Sequence, residues 1–221
     1  MSIRLVLASA SPARLATLRS AGIAPIVSVS QVDEPALLER AATDGAPPAA
    51  EQVLLLARAK ARDVAARLAP DADLVLGCDS MLELDGEIHG KPADAAEATA
   101  RWRTMRTRSG VLHTGHWLVD LRAPRVSTLT RTNDDATARE AGASSETIVH
   151  FADVSDAEID AYVATGEPLV VAGAFTIDGL GGPFVERIEG DHHGVVGLSL
   201  PLLRALLSDV GVSITDLWAP R

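Results

Sequence analysis

The sequence predicts an α/β fold on a mixed sheet, and three observations carry that expectation. Apolar runs of strand length alternate with segments of helical period. Ser-Pro and Ser-x-x-Glu signals mark helix starts between them. A hairpin signal at Asp85-Gly86 and further strands late in the chain add antiparallel pairs, so the sheet is not purely parallel.

Element by element, residues 3–8 (IRLVLA) read as a buried strand. Ser11 then reads as an N-cap, with Pro12 at the first position of a helix that runs through Leu15 and Leu18 to near Gly22. A second strand spans about Pro25 to Val29 and leads to Asp33-Glu34, read as a solvated loop pair. Ala41 to Ala50, with Gly45-Ala46-Pro47-Pro48, is a loop. A long helix follows to Leu68, with Val53, Leu56 and Val64 on its apolar side. Residues 73–78 (DLVLGC) form a buried strand, and Met81 to His89 a hairpin. Ala93 to Arg106 is a helix and Val111 to Leu121 a strand. The span 122–145 is rich in Thr, Asp, Ala and Arg without a clear period and reads as a mobile excursion. Thr147 to Ala152 is a strand. Ser155-Asp156-Ala157-Glu158 is a capping box opening a helix that ends near Gly166. Glycine-dense segments follow, and Pro201 to Val210 is the closing helix. No internal repeat interrupts this order, and residues 1–221 read as one domain.

Composition narrows the function classes. Hydrophobic residues make up 47% of the 221, enough for a substantial core, while aromatics are only 3%. The core is therefore expected to consist of Ala, Val, Leu and Ile. The formal net charge of -10 argues against a nucleic-acid polymer or an anionic membrane as partner. A small anionic ligand needs only a local basic pocket. Cys78 is the single cysteine, which rules out an intrachain disulfide and suits a reducing compartment. The apolar run at the N-terminus is too short for a signal peptide and no run approaches membrane-span length. Cytoplasmic residence is the expectation.

Only two of the twenty basic residues are lysine, Lys60 and Lys91. In a chain so biased toward arginine, they mark places suited to a compact point charge on a flexible stem, as phosphate handling requires. Lys60 lies on the long helix and Lys91 in the turn Gly90-Lys91-Pro92. Ser9 to Arg14 lies where a strand feeds a helix N-terminus. Free backbone N–H groups, the helix dipole, two hydroxyls and the Arg14 guanidinium make that a phosphate cradle. Asp79 follows an apolar strand and is expected to emerge at its end, where a carboxylate can hold a divalent metal or take a proton from water. Glu34 offers a further carboxylate. Gly179-x-Gly181-Gly182 has the wrong spacing for a dinucleotide fingerprint, and there is no Walker lysine motif. Asp191-His192-His193 reads as structural rather than as a zinc site. Cys78 lacks a basic activator and is not read as a nucleophile.

Taken in order, these segments resemble one family. Leu7-Ala8-Ser9-Ala10-Ser11-Pro12-Ala13-Arg14 is similar to the Leu-Ala-Ser-x-Ser-Pro-Arg-Arg opening of the Maf-like nucleoside triphosphate pyrophosphatases. Asp33-Glu34, Ala57-x-x-Lys60-Ala61, Gly77-x-Asp79-Ser80 and Gly90-Lys91-Pro92 follow in that family's order. So do Tyr162 to Leu169, Ala172-Gly173-Ala174-Phe175 and Val195 to Pro201. Each motif is weak alone, and the ordered set is specific.

The resemblance implies an elongated mixed sheet flanked by helices, in two lobes with a cleft. It implies hydrolysis of a nucleoside triphosphate to the monophosphate and pyrophosphate, a divalent cation (Mg²⁺ or Mn²⁺), and a homodimer. Carried over by residue, Asp79 accepts the proton of water. Ser9, Arg14, Glu34, Lys60 and Lys91 line the phosphate side, with Asp79 and Glu34 toward the metal. Positions Ala13, Ser80 and Asp178 are tied to base choice and depart from the common Arg, Thr and Gln or Glu. The implied substrate is an NTP or dNTP with a pyrimidine or modified base. A nucleotide-sensing regulatory protein without turnover, acting for example in cell division, is the alternative from another class. A structural domain that binds no nucleotide is a third.

Overall fold

The computed structural model describes residues 3–43, 45–68, 72–122 and 139–219. Along the chain come β1 (Leu5–Leu7), α1 (Pro12–Ser20), β2 (Ile26–Val27), α2 (Glu34–Ala41), α3 (Ala49–Leu68), β3 (Leu74–Leu84) and β4 (Glu87–His89). Then follow α4 (Ala95–Met105), β5 (Ser109–Asp120), β6 (Arg139–Phe151), α5 (Asp156–Ala164), β7 (Val185–Glu189), α6 (His192–Val196) and α7 (Leu200–Asp209). The strands form one mixed sheet in the order β2-β1-β3-β5-β6-β7, with β4 also pairing β3. The α/β class expected from the sequence is the class observed.

β3 organises this sheet. On one edge it pairs antiparallel with β5 along nearly its whole length, from Leu74 opposite Asp120 to Glu83 opposite Val111. Its other edge is shared. β1 runs parallel to Leu74–Leu76, and β4 runs antiparallel to Leu82–Leu84. Between those two partners the edge of β3 from Gly77 to Met81 has no neighbouring strand among the described residues. The side chains there alternate between faces, as a pleated strand requires. Val75 and Met81 pack with α3, through Ala61 and Val64 at one end and Val53 and Leu56 at the other. Leu76 and Cys78 pack on the opposite face with Leu18 of α1 and Leu203 and Leu206 of α7.

The break in edge pairing divides the core into two halves. One is aliphatic, as the composition predicts. The other collects the aromatics: Trp102 meets Phe151, Tyr162 and Phe184 edge-on at centroid distances of 5.7, 5.5 and 5.7 Å, and Phe175 stands against Phe151. The indole N–H of Trp102 donates to the Ala174 carbonyl at 2.7 Å, so its burial leaves no polar group unpaired.

Three expectations are corrected. The expected strand 73–78 continues to Leu84, which puts Asp79 in mid-strand rather than at a strand end. Asp33-Glu34 is no loop pair, because Asp33 caps α2 by accepting from the Ala36 N–H, and Glu34 opens the helix. Asp191-His192-His193, read as structural, opens a helix, with Asp191 accepting from the N–H groups of His193 and Gly194. Arg139 to Ser145, assigned to the excursion over 122–145, are the first half of β6, in register with Thr114 to Asp120 of β5. Strand period was hidden there by Ala, Gly and Ser. Positions 123–138 of that excursion lie outside the described residues.

Candidate active site

The site is built on the unpaired edge of β3. Two glycines let α3 lie directly on the sheet beneath it. A Cβ on Gly77 would stand 2.1 Å from the Ala57 carbonyl oxygen, and one on Gly115 would stand 2.4 Å from that of Val53. Only hydrogen fits at either position. This close approach sets Lys60, one turn beyond Ala57, against Asp79, two residues beyond Gly77.

Lys60 Nζ is 2.6 Å from Asp79 Oδ1 and 2.8 Å from Glu34 Oε1. Lys60 and Asp79 are each only 8% exposed, whereas the Glu34 side chain is 43% exposed. Glu34 is held there by the first turn of α2, and a carboxylate in that position also suits the helix dipole. Burial pushes the Asp79 carboxyl above the ordinary carboxylate range, although the Lys60 and Arg14 charges oppose the rise. An acid shifted this way by its surroundings is a candidate proton acceptor.

The opposite face of β3 carries the helix start. Ser11 caps α1 by accepting from the Arg14 N–H at 3.3 Å. Arg14 fills the gap in the sheet edge. Its Nε donates to the Gly197 carbonyl at 2.8 Å, and its Nη1 to Ser9 Oγ at 3.1 Å and the Cys78 carbonyl at 2.9 Å. Nη2 donates to Ser80 Oγ at 3.1 Å. Four of its five N–H groups thus serve protein acceptors. Arg14 ties α1, β3 and the Gly197 turn together. Ser9 Oγ accepts from Arg14 and from the Ser11 N–H, which leaves its own proton to donate.

Ser80 is fixed by a directional chain. Thr114 Oγ1 donates to the Gly194 carbonyl at 2.9 Å, so in its 3.0 Å contact with Ser80 it accepts. The Ser80 hydroxyl therefore has only acceptor capacity left for a ligand. Cys78 is buried and its thiol is pushed up to about 11 by desolvation, in keeping with the non-nucleophilic reading.

The remaining expected residues lie at the margins. Lys91 is exposed, two residues past β4. Because His89 is opposite Leu82, the chain leaves β4 heading toward the unpaired edge of β3. The Gly90 carbonyl is fixed by Arg101 Nη1 at 2.6 Å and the Gly173 N–H at 3.1 Å. Ala13 lies in the first turn of α1, half-buried, and Asp178 is exposed. Neither touches the Lys60 cluster through a hydrogen bond or ion pair among the described residues. The Asp178 segment is pinned by Glu167, whose carboxylate accepts from Tyr162, Thr176, Leu180 and Gly181. A shallow hollow of about 360 Å³ lined by Glu87, His89, Glu97 and Arg101 lies apart from Asp79.

Sequence reasoning missed Thr114, His116 and Gly115, and quoted Gly77 and Gly197 only as motif positions without their packing roles. The polar run His113-Thr114-Gly115-His116 inside an apolar strand was the available signal. His116 is fully buried, accepts from the Ser199 N–H at 2.8 Å through Nε2, and contacts the Thr114 carbonyl at 3.1 Å through Nδ1.

Fold and site together define a class: an α/β protein with a buried lysine–carboxylate cluster and a capped helix start set into a gap in its central strand's edge. The chain belongs to the Maf-like protein family, whose model matches residues 4–210. Curated relatives named nucleoside triphosphate pyrophosphatase include one from Salinispora tropica, 59% identical over 99% of this chain and 89% of that one. Another, from Streptomyces coelicolor, is 54% identical over 98% of this chain and 95% of its own, and one from Rhodococcus opacus is 52% identical over 97% and 95%. A solved dITP/XTP pyrophosphatase from Mycobacterium abscessus, 14% identical over 95% of this chain and 94% of that one, superposes only loosely, with a TM-score of 0.37.

Proposed function

We propose that this chain is a nucleoside triphosphate pyrophosphatase, releasing pyrophosphate and a monophosphate from an NTP or dNTP with a pyrimidine or modified base. The observation that carries the reading is the buried Lys60, held between Asp79 and Glu34 on one face of β3 with the Ser9–Arg14 helix start on the other. Supporting it are relatives of that name over nearly the whole chain.

Water adds to phosphorus at the α–β anhydride as the bridging P–O bond breaks and pyrophosphate leaves. Asp79 takes the proton of that water, and its raised pKa makes it a better acceptor. Lys60 and Lys91 neutralise charge on the phosphate oxygens, and the Ser9 hydroxyl donates to one of them. Arg14 holds Ser9 and Ser80 in place. Ser80 offers an acceptor to the base, while Ala13 offers no polar group, so the remaining base contacts fall to the exposed Asp178 and to backbone.

The oxygen donors of Asp79 and Glu34 suit a hard divalent cation such as Mg²⁺ or Mn²⁺. Bound there, it would supply charge neutralisation at the phosphates. Cytoplasmic residence and a homodimer belong to the same reading, the first supported by the lone cysteine and the second by the family resemblance. No helix among the described residues is long and apolar enough to cross a membrane.

The test is a nucleotide panel with Mg²⁺ or Mn²⁺ and identification of the phosphate product. Pyrophosphate is expected. Orthophosphate with a diphosphate would point to another hydrolase, and binding without release to a sensor. Asp79→Asn is expected to lower turnover about 10²- to 10⁴-fold, and full activity in that variant would remove Asp79 from the role.

A further inference from the structure

We infer that Lys60 is an internal counter-ion that keeps a divalent cation out of the resting site, so that cation and triphosphate enter together. The triphosphate half of this inference rests on the pyrophosphatase reading. The cation half rests on the geometry of the cluster.

Lys60 Nζ sits on both carboxylates that would hold the cation, at 2.6 and 2.8 Å. Its side chain is 9% exposed, and that of Asp79 is 11% exposed. A doubly charged ion cannot share those oxygens with an ammonium in a poorly solvated pocket, because like charges at contact repel strongly there. The lysine therefore has to leave as the cation arrives. Among the described residues Nζ contacts no acceptor other than these two carboxylates, and an unpaired buried ammonium is costly. A triphosphate supplies the missing acceptor.

The triphosphate alone gains little from this cluster. Lys60 is neutralised by its carboxylates, and Arg14 is engaged with Gly197, Ser9, Cys78 and Ser80. The chain as a whole carries a formal charge of -10. With both ligands bound, the carboxylates would hold the cation and Lys60 would turn to the phosphates, so that neither the ammonium nor the carboxylates lack an opposite charge. Each ligand thus raises the affinity of the other, a reciprocal coupling.

The first experiment measures Mn²⁺ binding to the protein alone, by paramagnetic resonance of the free ion. Lys60→Met is expected to bind Mn²⁺ about tenfold or more tightly than the unaltered protein, and Lys60→Arg, which keeps the charge, no more tightly. Affinity in Lys60→Met at or below that of the unaltered protein would overturn the inference. The second uses the unaltered chain with labelled lysine, where two lysines give two side-chain signals. Mg²⁺ alone is expected to leave the Lys60 signal in place, and Mg²⁺ with a nucleoside α,β-methylene triphosphate to move it. Displacement of Lys60 by Mg²⁺ alone would overturn the inference. If the analogue with Mg²⁺ moved neither lysine, the pyrophosphatase reading would fall, and the Lys60→Met affinity would still decide the cation half.

Discussion

At the residue scale, the fully buried His116 shows how the site's support depends on pH. Burial, helped by the Arg14 charge, holds its pKa down at about 4, against 6.5 in an exposed histidine. The unfolded chain therefore takes up a proton near 6.5, which the folded chain refuses until about 4. The folded state's advantage is complete above 6.5 and is lost as pH falls through 4, a total of about 3 kcal/mol from this group. Urea unfolding at pH 7.5 and pH 5 should show roughly 2 kcal/mol of it. His116→Gln, which cannot titrate, is expected to remove that part of the difference. An unchanged pH dependence in the variant would mean that His116 is not its source. Protonation would also set two donors, the imidazolium Nε2–H and the Ser199 N–H, against each other, and Ser199 caps α7.

At the element scale, the contact of α3 with the sheet matters most. Lys60 reaches Asp79 because Gly77 and Gly115 let the helix backbone touch the strands. Gly77→Ala forces Ala57 away, since backbone rather than a flexible side chain lies 2.1 Å from the added Cβ. Overpacking of this kind costs about 1–3 kcal/mol. Turnover is expected to fall further than folded fraction, because the shift also carries Lys60 from Asp79. The check is the urea midpoint and the rate of pyrophosphate release on the same preparation. Normal turnover per folded molecule would show that α3 can retreat without moving Lys60. The helices themselves were legible locally: Ser11-Pro12, Ser155 to Glu158 and the Asp85-Gly86 turn were all read correctly, because caps and turns are satisfied by near neighbours. α2 was not, since it is only eight residues long, none of them is fully buried, and its Asp33 cap was read with Glu34 as part of a loop.

At the scale of the whole molecule, two cores share three strands. β3, β5 and β6 each run from the aliphatic half into the aromatic half. Neither half can unfold without breaking strands that the other needs, so a single cooperative transition is expected. Far-ultraviolet dichroism and tryptophan fluorescence, to which Trp102 in the aromatic half contributes, should report one midpoint. Separate midpoints would show that the halves fold independently. The shared strands also explain why the site lies in mid-sheet. A β3 long enough to serve both halves takes β1 at one end and β4 at the other, and what remains between them is the gap that Arg14 fills.

The sequence by itself determined the class of fold, most helix starts, the hairpin and the family, because those are written in local spacing and in the order of short motifs. It also nominated Asp79, Lys60, Glu34, Ser9 and Arg14. Tertiary structure alone decided that Asp79 sits in mid-strand, that Lys60 is buried between two carboxylates, and that Arg14 bridges α1, β3 and the Gly197 turn. Those facts depend on which backbones touch, and hydrogen at Gly77 and Gly115 permits a contact that no local pattern encodes.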